Sequence, residues 1–489
     1  RVGKGRDVGL NQISMFEAKV AGGNGEQTLS RDVYRLGHGL DFFRMLSFFY
    51  TTIGFYLNTM MVVLTVYAFV WGRFYLALSG LEADYITNNT SSTDNAALWA
   101  VLNQQFFIQF GLFTALPMII ENSLEHGFLI AVWDFIVMQL QCASVFYTFC
   151  MGTKTHYYGR TLLHGGAKYR PTGRGFVVEH KKFAENYRLY ARSHFTKAIE
   201  LGVILCLYSS YSNIAGDTLV YILLTLSSWF LVCSWILAPF IFNPSGLDWQ
   251  KNSNDFEDFF SWIWFQGGGI SVKSDQSWEK WWEEETDHLA RTTTGLWGSI
   301  IEIILDLART YFFFQYAIVY RLHMAGGSRS ILVYVLSWAC IPLPFLALVT
   351  VTYFRDKYSA KKHIRYRLVQ SVIVCASLAA IIVLLTLTKF QFIDTFTSLL
   401  AFLPTGWGII SIALVFRQYL KKSDTVWKTV VVVARFYDIT LGLIVMAPIV
   451  VLSWLPGLRE LQTRILFNEA FSKGLHISQM ITRRKTHRA

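Results

Sequence analysis

Residues 1–31, RVGKGRDVGLNQISMFEAKVAGGNGEQTLSR, combine clustered glycines with a few lysines and arginines and little apolar material. Backbone amides in a glycine-rich turn donate hydrogen bonds without bulk, and Lys and Arg add positive charge, so this composition suits an anion such as a diphosphate. Ala21-Gly22-Gly23-Asn24-Gly25 matches neither a Walker loop nor a dinucleotide fingerprint, and a plain surface turn accounts for it equally.

Further charges fall inside apolar stretches. Glu302 and Asp306 are four residues apart and Arg309 follows three later, which puts all three near one helix face. Charge at membrane depth commonly faces a bundle interior or a water-filled path. The face is therefore either a polar lining or a self-neutralising Asp306–Arg309 pair with a structural role. Arg435 and Asp438 repeat the spacing and the same two readings. Asp134 reads as a surface residue of a short helix. The stretch 243–296 holds ten acids against four bases, together with Trp249, Trp262, Trp264, Trp278, Trp281 and Trp282. Aromatic faces stack on sugar rings, but an amphipathic helix with Trp at headgroup level and Glu in water is the preferred reading. The six cysteines lie in apolar segments without a CxxC pair and read as small buried hydrophobes. His126, His156 and His164 show no ligand pairing, and no metal site is expected in this chain.

These residues need elements to position them, and composition restricts which. Over 489 residues the chain is 53% hydrophobic, 16% aromatic and only 16% charged, with mean hydropathy +0.35. That excludes an ordinary soluble domain, for which about 25% charge is usual. The net charge of +11 points to cytosolic loops beside an anionic leaflet rather than to nucleic acid. Apolar windows of spanning length occur at 54–79, 105–120, 127–150, 198–213, 217–242, 297–320, 331–352, 369–388, 396–416 and 430–454.

Charge assigns the sides. No Lys or Arg lies between Arg73 and Lys154, whereas 154–197 carries ten against Glu179 and Glu185, so that stretch faces the cytosol. The sequons beginning at Asn88 and Asn89 mark 80–100 as an outside loop. For both to hold, 127–150 must be an interfacial or re-entrant helix instead of a crossing. The basic stretches 355–367 and 417–428 then fall inside. The basic tail 456–489 falls outside, against the rule, so one more helix has to leave the count: 430–454, interrupted by Arg435 and Asp438. The chain opens Arg-Val-Gly-Lys without Met or signal peptide and reads as the C-terminal piece of something longer.

The strings KGRDVGLNQISMFEAKVAGGNGEQTLSRDVYRLGH, GTKTHYYGRTLLHGGAKYRPTGRGFVV, FAENYRLYARSHF, FNPSGLDWQK, SWEKWWEEE and LAFLPTGWG resemble the C-terminal part of the (1→3)-β-glucan synthase family of the plant callose synthase type, from residue 1 to about residue 480. The resemblance implies a processive membrane glycosyltransferase that takes UDP-glucose in the cytosol, extends a β-1,3-glucan and exports it. It assigns Lys19 to catalysis, where its ammonium would oppose charge on departing UDP. It also implies substrate contacts from Lys4 and Arg6 of KGRD, although a salt bridge to Asp7 serves Lys4 and Arg6 as well. Glu26, Gln27 and Arg31 are reminiscent in role of the Gln…Arg-Trp motif of cellulose synthases, with Asp32 standing where Trp would be. Glu302, Asp306 and Arg309 become channel residues. A divalent cation, Mg or Mn, would be held by acids preceding residue 1, and a Rho-type GTPase and membrane lipids are implied partners.

The expected fold is an all-α polytopic membrane protein with about nine to ten transmembrane or re-entrant helices and the C-terminal edge of a GT-A-like cytosolic domain at its N-terminus. Its expected parts are 1–31, the end of the catalytic domain; 32–53, an interfacial amphipathic helix; 54–455, the multi-span region with cytosolic loops 151–197 and 243–296; and 456–489, the tail. The expected location is the plasma membrane. A polytopic transporter or channel with a short cytosolic cap is the alternative.

Overall fold

The computed structural model describes residues 9–79, 116, 118–125, 127–166, 179–211, 218–265, 277–292, 303–304, 306–308, 310–311, 347–354, 363–387 and 392–467. Among the described residues every regular element is helical. The helices are α1 (Leu10–Leu29), α2 (Arg31–Gly39), α3 (Phe42–Thr51), α4 (Ile53–Ser79), α5 (Phe128–Leu140), α6 (Ala143–His164) and α7 (Phe183–Tyr190). A π turn, Ala191–Phe195, leads from α7 into α8 (Thr196–Tyr211), followed by α9 (Thr218–Ile241) and α10 (Trp249–Phe260). Then come α11 (Trp278–Thr292), α12 (His363–Leu387), α13 (Phe392–Val415), α14 (Arg417–Leu420), α15 (Asp424–Trp454) and α16 (Leu458–Gln462).

Two described helices, Ile53–Tyr75 within α4 and Asp424–Trp454, are long and apolar enough to cross a membrane. The bent pair α5 and α6 makes up to three. The expectation that 430–454 drops out is reversed: α15 continues through Arg435, Asp438 and Pro448 as one 31-residue helix. It does so because both charges find partners on other elements, described below. The expected helix 127–150 is instead two helices meeting at 60°. The break falls at Gln141 and Cys142, where Cys142 adopts φ 59°, a left-handed conformation that interrupts the helical ladder. The second arm runs on through Lys154 and Arg160.

The segment expected as the edge of the catalytic domain is, over 10–29, a helix. The loops expected at 151–197 and 243–296 are largely helical where described, holding α7, the π turn, α10 and α11. The interfacial segment 32–53 divides into α2 and α3, neither of which buries a residue. The sequons, most of the spans expected at 105–120, 297–320 and 331–352, the tail beyond 467, and Lys4, Arg6, Glu302 and Arg309 lie outside the described residues.

The main core is aromatic. It gathers Phe149 of α6, Phe183, Tyr187, Tyr190 and Phe195 around α7, Trp235 and Phe240 of α9, Phe259 of α10 and Trp262 just after it, Trp278 and Trp282 of α11, and Leu441 and Val445 of α15. Burying such rings supplies roughly 1.5–3 kcal/mol each, which makes the region around α7 the mechanical centre of the described protein.

Candidate functional site

Helix α1 carries the lysine assigned to catalysis. Its buried residues, Leu10, Ser14, Ala18, Ala21, Gly22 and Gly25, recur every three or four positions and form one narrow face of small side chains. That face lies on α6. A Cβ on Gly25 would stand 2.8 Å from the Thr161 Cβ and 3.1 Å from the Tyr158 carbonyl, so only glycine permits the approach. The glycine run is therefore a helix-packing surface and not an anion-binding turn: its amides are used in the helical ladder and do not face outward. Around this contact Tyr158 stacks on Tyr56 with centroids 5.9 Å apart, the Thr28 hydroxyl lies 3.3 Å from the Tyr158 hydroxyl, and Lys154 pairs with Glu17 at 3.7 Å.

The opposite stripe is less buried. Lys19, Gly23 and Glu26 follow one another at i, i+4 and i+7, so Lys19 and Glu26 share a line about 10 Å long. Lys19 is half-buried, Gly23 and Glu26 are exposed, and nothing lies within 4 Å of where a Cβ on Gly23 would be. Gln27 is half-buried, with its carbonyl accepting the Ser30 amide at 3.1 Å and the Ser30 hydroxyl at 2.7 Å. Arg31 is exposed at the start of α2. Lys19 and Glu26 thus share one stripe of α1 two turns apart, and Gln27 and Arg31 lie around the following turn.

Helix α7 connects this helix to the rest. Phe183, Tyr187, Tyr190 and His194 are spaced four, three and four apart and all are buried. The Tyr190 hydroxyl donates to Asn11 Oδ1 at 2.8 Å and lies 3.1 Å from Ser14 Oγ, while Asn11 Nδ2 donates to Asn186 Oδ1 at 2.8 Å. α1 is thereby tied to α7. His194 stacks on Phe149 at 4.1 Å, donates from Nε2 to the Phe149 carbonyl at 3.0 Å and accepts from Ser193 Oγ at 2.7 Å. Burial pushes its pKa down to about 3, so it stays neutral and structural.

The far side of α7 meets α15 at Asp438, which is fully buried. Its carboxylate receives the Tyr187 hydroxyl at 2.9 Å, Arg192 Nη2 at 2.9 Å and the Trp278 indole N–H at 3.0 Å. Three donors and one countercharge are what a carboxylate without water requires. Burial, reinforced by the Asp438 charge, holds the Tyr187 phenol well above its ordinary pKa, so it remains a donor. Arg192 lies 5.4 Å from the Trp281 ring and 4.4 Å from the Trp407 ring, both cation–π distances.

Helix α11, the acidic tryptophan segment, closes the arrangement. Trp278 and Trp282 are buried and stack at 5.8 Å, and Trp427 stands 5.6 Å from Trp282. These two rings pack against protein, not at a headgroup belt, whereas Trp249 is exposed. Glu279 accepts from Arg435 and, at 3.4 Å, from Arg367, and Glu285 pairs with Arg160 at 3.3 Å. Arg435 also lies 4.9 Å from the Trp278 ring. Arg435 and Asp438 therefore bond to separate partners across elements and not to each other. Asp306 is buried, while its two expected companions are outside the described residues.

Sequence reasoning missed Tyr187 and His194, and read Arg192 only as loop charge. The aromatic spacing along FAENYRLYARSHF was the available signal. Among the described residues no three His, Cys, Asp or Glu side chains converge as metal ligands.

The pattern of the family described as 1,3-beta-glucan synthase component matches residues 1–397. The chain is 65% identical to Callose synthase 12 of Arabidopsis thaliana over 486 residues, covering 99% of this chain and 27% of that protein. Callose synthase 11 is 64% identical over 486 residues, with 99% and 27% covered, and Callose synthase 9 is 52% identical over 481 residues, with 98% and 25% covered, both from the same plant. The chain thus spans about a quarter of the length of these curated relatives. No solved structure matches it.

Proposed function

The chain belongs to the 1,3-beta-glucan synthase family, and from that premise we propose that it forms the C-terminal, membrane-embedded part of a processive glycosyltransferase that polymerises glucose from UDP-glucose into β-1,3-glucan and exports it. The observation that carries this reading is the 65% identity over 486 residues, a match that takes in both the segment bearing Lys19 and α15. The reaction breaks the bond between the anomeric carbon and UDP while a hydroxyl of the growing chain attacks. Charge then accumulates on the diphosphate. An ammonium at Lys19, fixed on a helix clamped to α6 and α7, would oppose that charge without having to reorganise. Glu26, on the same stripe, accepts a sugar hydroxyl, and Arg31 adds positive charge beyond the turn.

The described residues do not assemble a ligand set for a divalent cation, and a Mg or Mn ion would be held by acids that precede residue 1. Glu302, Asp306 and Arg309 belong to the proposed export path. The protein would sit in the plasma membrane through several crossings, with anionic lipid along its basic loops and a Rho-type GTPase as a regulatory partner.

The test is chemical. Membranes containing the full-length protein, given labelled UDP-glucose, should form radioactive alkali-insoluble polymer that a β-1,3-specific glucanase degrades. Solute uptake without polymer would instead indicate a transporter.

A further inference from the structure

The residues just before α7 are held by a group of polar contacts that the proposed chemistry does not use. His180 presents Nδ1 to the Pro244 carbonyl at 2.8 Å and Nε2 to Asp255 Oδ2 at 3.2 Å. The same Asp255 oxygen accepts the amide of Phe183, the first residue of α7, at 3.2 Å. Asn243 brackets Lys181 from both sides, accepting its amide and donating to its carbonyl, each at 2.8 Å. Lys182 pairs with Asp258 at 2.7 Å.

A carbonyl oxygen only accepts, and an ionised carboxylate only accepts. A ring with an acceptor at each nitrogen is fully bonded only when both nitrogens carry hydrogen, which is the imidazolium. Loss of that proton turns a lone pair toward one of the two oxygens, in a site where Asp255 is only 9% exposed. What is loosened is the start of α7, and α7 holds α1 through Asn186 and Tyr190 and α15 through Tyr187.

We propose that His180, as the doubly hydrogen-bonded imidazolium, is a positioning residue that fixes the start of α7 and, through that helix, the α1 segment bearing Lys19. This rests on the synthase reading given above. The charged groups acting on the ring are Asp255, which favours its charged form, and Lys251, which opposes it, both on α10; its own segment adds Lys181 and the Lys182–Asp258 pair, and in the turn after Pro244 Asp248 is engaged by Arg459 at 3.1 Å. The hydrogen bond to Asp255 comes first among the causes that raise the His180 pKa, ahead of the opposing effect of burial. A group whose pKa is raised on folding stabilises fully below its unfolded pKa, and the contribution disappears as pH rises through the folded pKa. The clamp is therefore complete in mildly acid solution and weakens toward alkaline pH.

Two measurements on the full-length protein in membranes test this. Hydrogen exchange of the amides from Lys181 to Tyr190, followed from about pH 6 to about pH 8.5 after correction for intrinsic rates, should show protection falling with pH in the native protein and uniformly low in His180→Gln. Polymer synthesis should fall by roughly tenfold in His180→Gln at about pH 6 through kcat, with KM for UDP-glucose unchanged, and differ little from native at about pH 8.5. Protection independent of pH, or an alkaline fall in His180→Gln as steep as the native one, would overturn the proposal. If native membranes make no polymer at any pH, the synthase reading fails, while the exchange experiment still decides whether the clamp titrates.

Discussion

A half-buried lysine off the packed face of its helix opposes charge that appears near it during the reaction, so on the proposed chemistry its removal should depress turnover far more than it disturbs folding. Lys19 has that placement: α1 is anchored by the face that carries Ala18, Ala21 and Gly25, and Lys19 and Glu26 lie away from it. On the proposed chemistry Lys19→Ala in the full-length protein lowers polymer synthesis by ~100-fold or more while the protein still reaches the membrane in normal amount. Activity above about a tenth of native would remove Lys19 from the site. Asp438 behaves in the opposite way, because everything around it is structural. Asp438→Leu leaves Arg192 buried without its countercharge, a cost of about 3–5 kcal/mol, whereas Asp438→Leu combined with Arg192→Met removes both charges and should recover most of it. The amount of intact protein in membranes and the temperature at which it aggregates after detergent extraction report the difference. A double variant as unstable as the single would mean that the Tyr187 and Trp278 hydrogen bonds to Asp438, not the ion pair, carry the stability.

Helices α1 and α11 show why some elements were legible in the sequence and others were not. Hydropathy over about 20 residues identified α4, because lipid-compatible length is a property of the segment alone, and also marked α15, which the charge count then wrongly removed. The face of α1 is made of Ala, Gly and Ser, which raise no apolar period, so a packing helix and a glycine-rich turn have the same composition; Thr161 and Tyr158, more than a hundred residues away, decide between them. Helix α11 was ambiguous for another reason. Trp beside Glu describes a headgroup belt equally well as a helix whose acids reach Arg367 and Arg435 from distant elements. The sequence did expose the two charges in α15 as exceptional, but not that each is neutralised from outside its own helix. The close approach of α1 makes a prediction at this scale. Gly25→Leu forces the side chain into Thr161 and should cost roughly 1–3 kcal/mol of α1 docking. Limited proteolysis within residues 10–29 should become faster, while Gly23→Ala, facing open space, should leave it unchanged.

At the scale of the whole molecule, the bent pair α5 and α6 fixes on which side α7 and its contacts lie. A 60° break after a 13-residue apolar helix gives two arms of which the first, Phe128–Leu140, covers only about 20 Å at 1.5 Å per residue, short of the ~30 Å hydrocarbon core. The second arm acquires Lys154 and Arg160, and both are paired to acids within the protein, Glu17 and Glu285. These partners belong to α1 and α11, so Lys19 and the acidic tryptophan helix share the side on which α6 ends. By the positive-inside rule the excess of Lys and Arg in 154–197 predicts that this side is the cytosol, where the proposed UDP-glucose substrate would arrive. In a background lacking the native cysteines, Glu185→Cys, at an exposed position of α7, should resist an impermeant thiol reagent on intact cells and react after permeabilisation, whereas Ser92→Cys, in the sequon-bearing segment, should react in both. Labelling of Glu185→Cys on intact cells would put α1, α7 and α11 outside together, because ion pairs join α1 and α11 to α6 and hydrogen bonds from Asn11 to Asn186 and from Tyr190 to Asn11 join α7 to α1, and a cytosolic sugar nucleotide would then have no route to Lys19.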